Sequence, residues 1–366
     1  MNKKVLHIFG KMDRGGAELR TLATLQPLKD KGVDIEFCSL SGQQGLLDEE
    51  IKALGSEVHL CQLGLFFPIK FYRLLRQHKF DVVHSHVAMV SGFILFLAWL
   101  TGVPQRIAHF RNTHDAANTS FVRKWRNRFL HSLIDLFATN ILGVCNAALS
   151  IFWRPDWQQD PRCQTIYNGL SHQALLEKKP TFWQENNINN HYPVMLNVAR
   201  MVEQKNHRFM IRVLAEYIEQ YGPINLALLG KKEEKIQQEI IALAQEHHCL
   251  EYVVFLDVQP NVYDFLTHAN VMIFPSLWEG LPGAVIEAAS VGLPVVANDL
   301  PGVVEIAQQL PCVHYLSVEQ PLTLWAEVIN SEITNNFNER EKHHNTFKNS
   351  SFNLNQCVEA LYVIYQ

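Results

Sequence analysis

Short runs of β-branched and apolar residues alternate with longer amphipathic stretches along nearly the whole chain. Strands covered on both faces read as continuous apolar runs, and helical stretches between them mark βαβ units around a parallel sheet. The pattern predicts strands at 5–9, 33–40, 81–84, 106–109, 141–144 and 164–167, then at 194–199, 224–229, 252–256, 271–274 and 294–297. A polar stretch rich in Asn, Gln, Lys and Glu separates the two series. The expected division is an N-terminal domain at 1–175, a linker at 176–193 and a C-terminal domain at 194–350. In the last segment, 351–366, Leu354, Val358, Leu361, Tyr362 and Tyr365 recur at near-helical spacing. That spacing gives a terminal helix with one apolar face, able to pack back on the N-terminal domain. The expected class is α/β, with two Rossmann-like domains facing a cleft.

Two stretches stand out from this alternation. Residues 87–103 carry no charge and include the dense run Phe93 to Leu100, but at about 17 residues the stretch falls short of a membrane span and predicts a buried core helix. Residues 121–130 hold Arg123, Lys124, Arg126 and Arg128 beside Phe121, Trp125 and Phe129. On a helix the three rings and Leu133 form one stripe at spacing four. Two expectations follow: a stripe packed into the core, or an interfacial helix making peripheral contact with an anionic membrane.

Composition narrows the class further. Over 366 residues, 48% are hydrophobic, 19% are charged and the formal net charge is −4, so disorder and a global nucleic-acid footprint are both disfavoured. The seven cysteines are scattered without a Cys-x-x-Cys pair, which disfavours a disulfide scaffold or structural zinc site and fits a reducing compartment. No signal-peptide core is present, so a cytoplasmic location is expected.

The chemistry concentrates at strand ends. Phe274 to Ala288 reads as a strand, a Gly/Pro-rich turn and an apolar helix, with Glu279 before the helix and Glu287 inside it. Backbone N–H groups around Gly280 to Ala284 face any anion placed there. Asn197 to His207 reads as a strand end and a loop with two cations, Arg200 and Lys205, suited to a diphosphate. Gly15-Gly16 lies in a strand-to-helix turn that is neither a dinucleotide fingerprint nor a Walker A loop. His109 and Arg111 share one face at another strand end, with Asn112 and His114 following. His84 and His86 lie at a further strand end, where the sequence offers no third metal ligand.

The Glu279/Glu287 spacing, followed by Gly292 to Ala297, resembles the signature of the retaining, nucleotide-sugar-dependent glycosyltransferases of family four on the GT-B fold. The likeness extends to Gly15-Gly16, Asn168-Gly169, Arg200, Lys205 and the closing helix. It implies transfer of a sugar from a nucleoside diphosphate to a glycan or lipid-linked saccharide, with retention of configuration and without a metal cofactor. The implied donor contacts are Arg200 and Lys205 with the phosphates, Gly15 and Gly16 approaching a sugar or phosphate from across the cleft, Gly280 and Leu281 at the turn, and Glu287 on the ribose. Glu279 is implied on the transferred sugar. Relatives usually carry a histidine directly before the asparagine at 112, where this chain has Arg111, so His109 and Arg111 both stand as candidates for that catalytic position. No Asp-x-Asp, Gly-x-Ser-x-Gly or His-Glu-x-x-His occurs. A sugar-nucleotide epimerase or hydrolase of the same fold, and a non-catalytic two-domain sugar-binding protein, are the alternatives.

Overall fold

The computed structural model describes residues 2–112, 120–171, 175–335 and 339–366, and the chain forms two units, 1–171 with 351–366 and 172–350. The first holds a parallel sheet of β1 (Lys3–Phe9), β2 (Val33–Ser39), β3 (Val58–Leu60), β4 (Val82–Ser85), β5 (Gln105–Phe110), β6 (Asn140–Gly143) and β7 (Cys163–Thr165), in the order 3-2-1-4-5-6-7. The second holds β8 (Val194–Val198), β9 (Asn225–Leu229), β10 (Val253–Leu256), β11 (Val271–Phe274), β12 (Val295–Asn298) and β13 (Val313–Leu316), in the order 10-9-8-11-12-13. Each is a doubly wound α/β sheet, as the alternating pattern predicts. In such sheets the strand order reverses at one point, and ligands bind outside the carboxyl ends of the strands there. The reversals fall between β1 and β4 and between β8 and β11.

The apolar strand runs are buried throughout: Val5, Leu6, Ile8, Val82, Val83 and Ile107 in one sheet, and Val194, Leu196, Val271 and Ile273 in the other, are fully inaccessible. The closing helix, Leu354–Tyr365, packs Val358, Leu361, Ile364 and Tyr365 into the same cluster as Val5, Phe9 and Leu25 of the first unit. The polar stretch at 176–193, expected as a linker, is anchored to the second unit. Its Trp183 is buried and donates its indole N–H to the His268 carbonyl at 3.1 Å, while Phe182 stacks on the His268 ring at 4.0 Å. Two aromatic residues hold a segment whose average composition is that of a tether.

The uncharged stretch 87–103 forms the helix Ser91–Leu100, with Ile94, Leu95, Leu97 and Ala98 buried. No helix among the described residues is long and apolar enough to cross a membrane. A Cβ on Gly92 would lie 2.2 Å from the Leu130 carbonyl oxygen, so this glycine is where the helix crosses Phe121–Phe137 at close range. Within Phe121–Phe137 the buried positions are Leu130 and Ile134. Phe121, Trp125 and Phe129 are 75%, 66% and 61% exposed, which corrects the core-packed expectation for the stripe. The packing face is offset from the aromatic stripe, and the stripe lies against solvent among the cations.

Candidate functional site

In the second unit the turn after β8 and the turn after β11 meet over the sheet's reversal point. Asn206 adopts a left-handed conformation (φ 53°), which Asn tolerates, and it starts the helix His207–Tyr221 immediately behind Lys205. Lys205 Nζ then forms an ion pair with Glu279 Oε1, both side chains largely buried, and lies 5.1 Å from the Phe274 ring centroid. Gln204 joins the same group: its side-chain amide donates to the Trp278 carbonyl at 2.7 Å and to Glu279 Oε1 at 3.2 Å, and its main-chain carbonyl accepts from Leu277 N–H at 2.8 Å. Two segments about 75 residues apart are thus tied through the side chain and backbone of one residue. Arg200 projects from the same loop and is exposed.

Pro282 stands just before the helix Gly283–Ser290, whose first internal bond runs from Ile286 N–H to the Pro282 carbonyl. The N–H groups of Gly283 to Val285 therefore precede the helical ladder. Glu287 lies one turn further in and is half-buried. Leu281 is buried, so its side chain belongs to the core and only its backbone faces the turn. A Cβ on Gly302 would sit 1.9 Å from the Gly280 carbonyl oxygen, which leaves no room for any other residue at 302. Asn298 fixes the turn from the end of β12: its amide donates to the Ser276 carbonyl at 2.8 Å, and its oxygen accepts from the N–H groups of Asp299 and Val318. Gln204, Asn298 and Gly302 carry no local motif, and their importance comes entirely from distant neighbours.

In the first unit the loop after β1 ends in Gly15, the N-cap of the helix Gly16–Asp30. Glu18 folds back so that a Cβ on Gly15 would lie 2.3 Å from its carboxylate, whereas the space around Gly16 is open. Across the reversal point from β1, His84 lies in β4 with His86 just after it, and His109 lies in β5 with Arg111 just after it. Arg111 is half-buried and donates through Nε to His86 Nδ1 at 3.2 Å, through Nη1 to Asn168 Oδ1 at 2.5 Å and through Nη2 to Thr21 Oγ1 at 3.1 Å. A guanidinium only donates, so this contact sets the tautomer of every ring beyond it. His86 Nε2–H donates to His7 Nδ1 (2.8 Å), His7 Nε2–H to the Tyr365 hydroxyl (3.2 Å), that hydroxyl to His84 Nδ1 (2.7 Å), and His84 Nε2–H to His109 Nδ1 (3.0 Å). The chain of donors ends at His109 Nε2–H, which is buried with no partner among the described residues.

Burial, reinforced by Arg111, pushes His7 down to about 3 and holds His84, His86 and His109 well below the usual imidazole range. Burial also lowers Arg111, to about 10, so it stays charged at neutral pH. Sequence reading singles out His109 and Arg111 but not His7 and Tyr365, which reach the cluster from opposite ends of the chain. His7 does give His84 and His86 a third imidazole neighbour. The ring nitrogens of these three are already committed to one another, Tyr365, His109 and Arg111, and the guanidinium opposes a cation. His114 lies outside the described residues.

Comparison with known proteins identifies the family. Residues 178–349 match the family described as glycosyl transferases group 1, and residues 14–173 match glycosyltransferase family 4. The chain is 31% identical over 369 residues to the capsular polysaccharide biosynthesis glycosyltransferase CapH of Staphylococcus aureus, covering 99% of this chain and 98% of that protein. It is 23% identical to the Escherichia coli UDP-Gal:alpha-D-GlcNAc-diphosphoundecaprenol alpha-1,3-galactosyltransferase, over 82% of this chain and 80% of that protein. Among solved structures, Anabaena Alr3699/HepE in complex with UDP superposes with a TM-score of 0.80 at 17% identity, over 99% of this chain and 98% of that one. The chain belongs to the group 1, family 4 glycosyltransferases and has the GT-B fold.

Proposed function

We propose that this glycosyltransferase moves a sugar from a nucleoside-diphosphate donor to a glycan or lipid-linked saccharide in surface polysaccharide or glycolipid assembly, with retention of configuration. The observation that carries the reading is the meeting of Lys205 and Glu279 beside the Gly283–Ser290 helix start. One cation and one carboxylate there can take the two ends of a sugar phosphate. Lys205 and the leading N–H groups stabilise the diphosphate as the bond from the anomeric carbon to the phosphate oxygen breaks, while Arg200 grips the phosphates away from that bond. Glu287 holds the ribose and Glu279 the transferred sugar. The acceptor hydroxyl forms its bond to the anomeric carbon on the same face and passes its proton to the departing phosphate oxygen. No metal takes part in these steps. The first unit, with Gly15, Gly16, His109 and Arg111, serves the acceptor and the reacting sugar.

The relatives' names support the acceptor class: one makes capsular polysaccharide, and another glycosylates a diphosphoundecaprenol-linked sugar. The exposed rings and cations of Phe121–Phe137 suit peripheral contact with an anionic bilayer, where such an acceptor is presented. A thermal-shift panel of nucleotide sugars followed by product analysis tests the reading. One donor is expected to stabilise the protein by about 2.7 kcal/mol at 100 times its dissociation constant, and the product is expected to keep the donor's anomeric configuration in excess chelator. An inverted product, or activity that chelation abolishes and manganese restores, overturns it.

A further inference from the structure

We propose that the first unit carries a divalent transition-metal site, separate from the transfer chemistry, built by Glu36, Glu57, His59 and His78. Phe37 of β2 pairs with Val58 of β3, so Glu36, Glu57 and His59 alternate onto the opposite face from that pair and share it with one another. His78 arrives from the last turn of the helix Phe67–His78, and Lys79 leaves that helix in a left-handed conformation. His59 Nε2 lies 2.6 Å from Glu36 Oε2 and 3.8 Å from Glu57 Oε2, and His78 Nδ1 lies 3.4 Å from Glu36 Oε2. All four ligand atoms fall within 4.8 Å of one another. A tetrahedral ion with bonds of about 2.0–2.1 Å holds its ligands roughly 3.3 Å apart, so small side-chain shifts close the shell.

Charge points the same way. Lys4 Nζ sits 2.7 Å from the other oxygen of Glu36, neutralising one of the two carboxylates and orienting it. With neutral imidazoles the group keeps a surplus negative charge, which a cation meets. The His78 ring stacks parallel to Phe80 at 5.8 Å and meets His59 edge-on at 4.7 Å, which limits the freedom of both imidazoles. Two nitrogens and two carboxylate oxygens favour zinc and its neighbours over magnesium or calcium. The ion would clip β3, a three-residue edge strand, to β2 and to the helix end.

Chelator-treated protein titrated with Zn²⁺ against a chromophoric competitor, and with Co²⁺ followed by visible absorption, tests the assignment. One ion per chain is expected, with a tetrahedral Co²⁺ spectrum and a higher melting temperature. His59→Gln and His78→Gln are each expected to weaken binding at least about 10-fold. Glu57→Gln, at a side chain 69% exposed, weakens binding without threatening the fold and carries the test if the histidine variants do not fold. His247→Gln and His248→Gln, an exposed pair in the second unit, leave binding unchanged. Absence of 1:1 binding, or binding indifferent to the Glu57, His59 and His78 changes, overturns the site and leaves an ion-pair cluster.

Discussion

At the residue scale the ion pair between Lys205 and Glu279 separates the roles of the donor-side residues. On the proposed reading Arg200 and Glu287 act on parts of the donor remote from the breaking bond, so Arg200→Ala and Glu287→Ala are expected to raise its dissociation constant. Loss of one charge-assisted hydrogen bond is worth about 1.5–3 kcal/mol, or roughly 10- to 150-fold. Titration calorimetry on the folded variants checks this, and unchanged affinity in both removes them from the site. Lys205→Ala instead removes charge stabilisation that grows as the diphosphate leaves, with an expected loss of about 10²–10³ in turnover. Single-turnover kinetics at saturating donor distinguishes that from weaker binding. The charged residues proposed to meet the donor, Arg200, Lys205, Glu279 and Glu287, could be singled out because charged side chains near strand ends are visible in the sequence. Gly302, Asn298 and Gln204 were not, since each is defined by a carbonyl or amide supplied from another loop.

At the scale of elements, the interior strands were legible, and the edge strands β7 and β10 overlap the predicted runs 164–167 and 252–256. The other two edge strands, β3 and β13, were not foreseen. The helix Phe121–Phe137 shows the other failure. Its strongest stripe, Phe121 to Phe129 at spacing four, is not the stripe it buries, because contact with Ser91–Leu100 at Gly92 selects Leu130 and Ile134. Gly92→Ala is expected to force the two helices apart and destabilise the protein by about 1–3 kcal/mol, measured by denaturant unfolding. Unchanged stability would mean the crossing relaxes freely. Replacing Phe121, Trp125 and Phe129 together by Ser is expected to shift stability by under about 0.5 kcal/mol per site, as at other exposed positions. The same variant is expected to lose co-sedimentation with anionic vesicles at low salt while the wild type binds them and ignores neutral ones. Wild-type chain that stays in the supernatant with every vesicle removes the membrane from the proposal.

At the scale of the whole molecule, the two units are built alike but hold their buried histidines differently, so they are expected to respond differently to acid. In the first, His7, His84, His86 and His109 are held neutral, and each donor in their hydrogen-bonded series from Arg111 onward is matched to one acceptor. An added proton places two N–H groups against each other in this series and a second cation beside Arg111. Unfolded imidazoles take up protons near pH 6.5, whereas these do so far lower, so the unfolded state binds more protons below that pH. Stability is therefore complete above about pH 6.5 and falls as the pH drops toward the depressed folded values. Every histidine of the set that stays neutral in the folded chain adds to that loss. In the second unit burial and Lys205 hold His207 near 4, and His268 and His343 are lowered, without a comparable chain of linked rings. Hydrogen exchange at pH 7.5 and 5.5, corrected for intrinsic rates, is expected to show protection in β1, β4 and β5 collapsing in acid while β8 and β11 keep most of theirs. Tyr365→Phe breaks the series at the C-terminal helix while preserving the ring, so it is expected to lower stability at pH 7.5 and flatten the acid dependence. Equal acid losses in both units, or a Tyr365→Phe chain with the wild-type pH profile, would show that the buried rings do not titrate as a linked set.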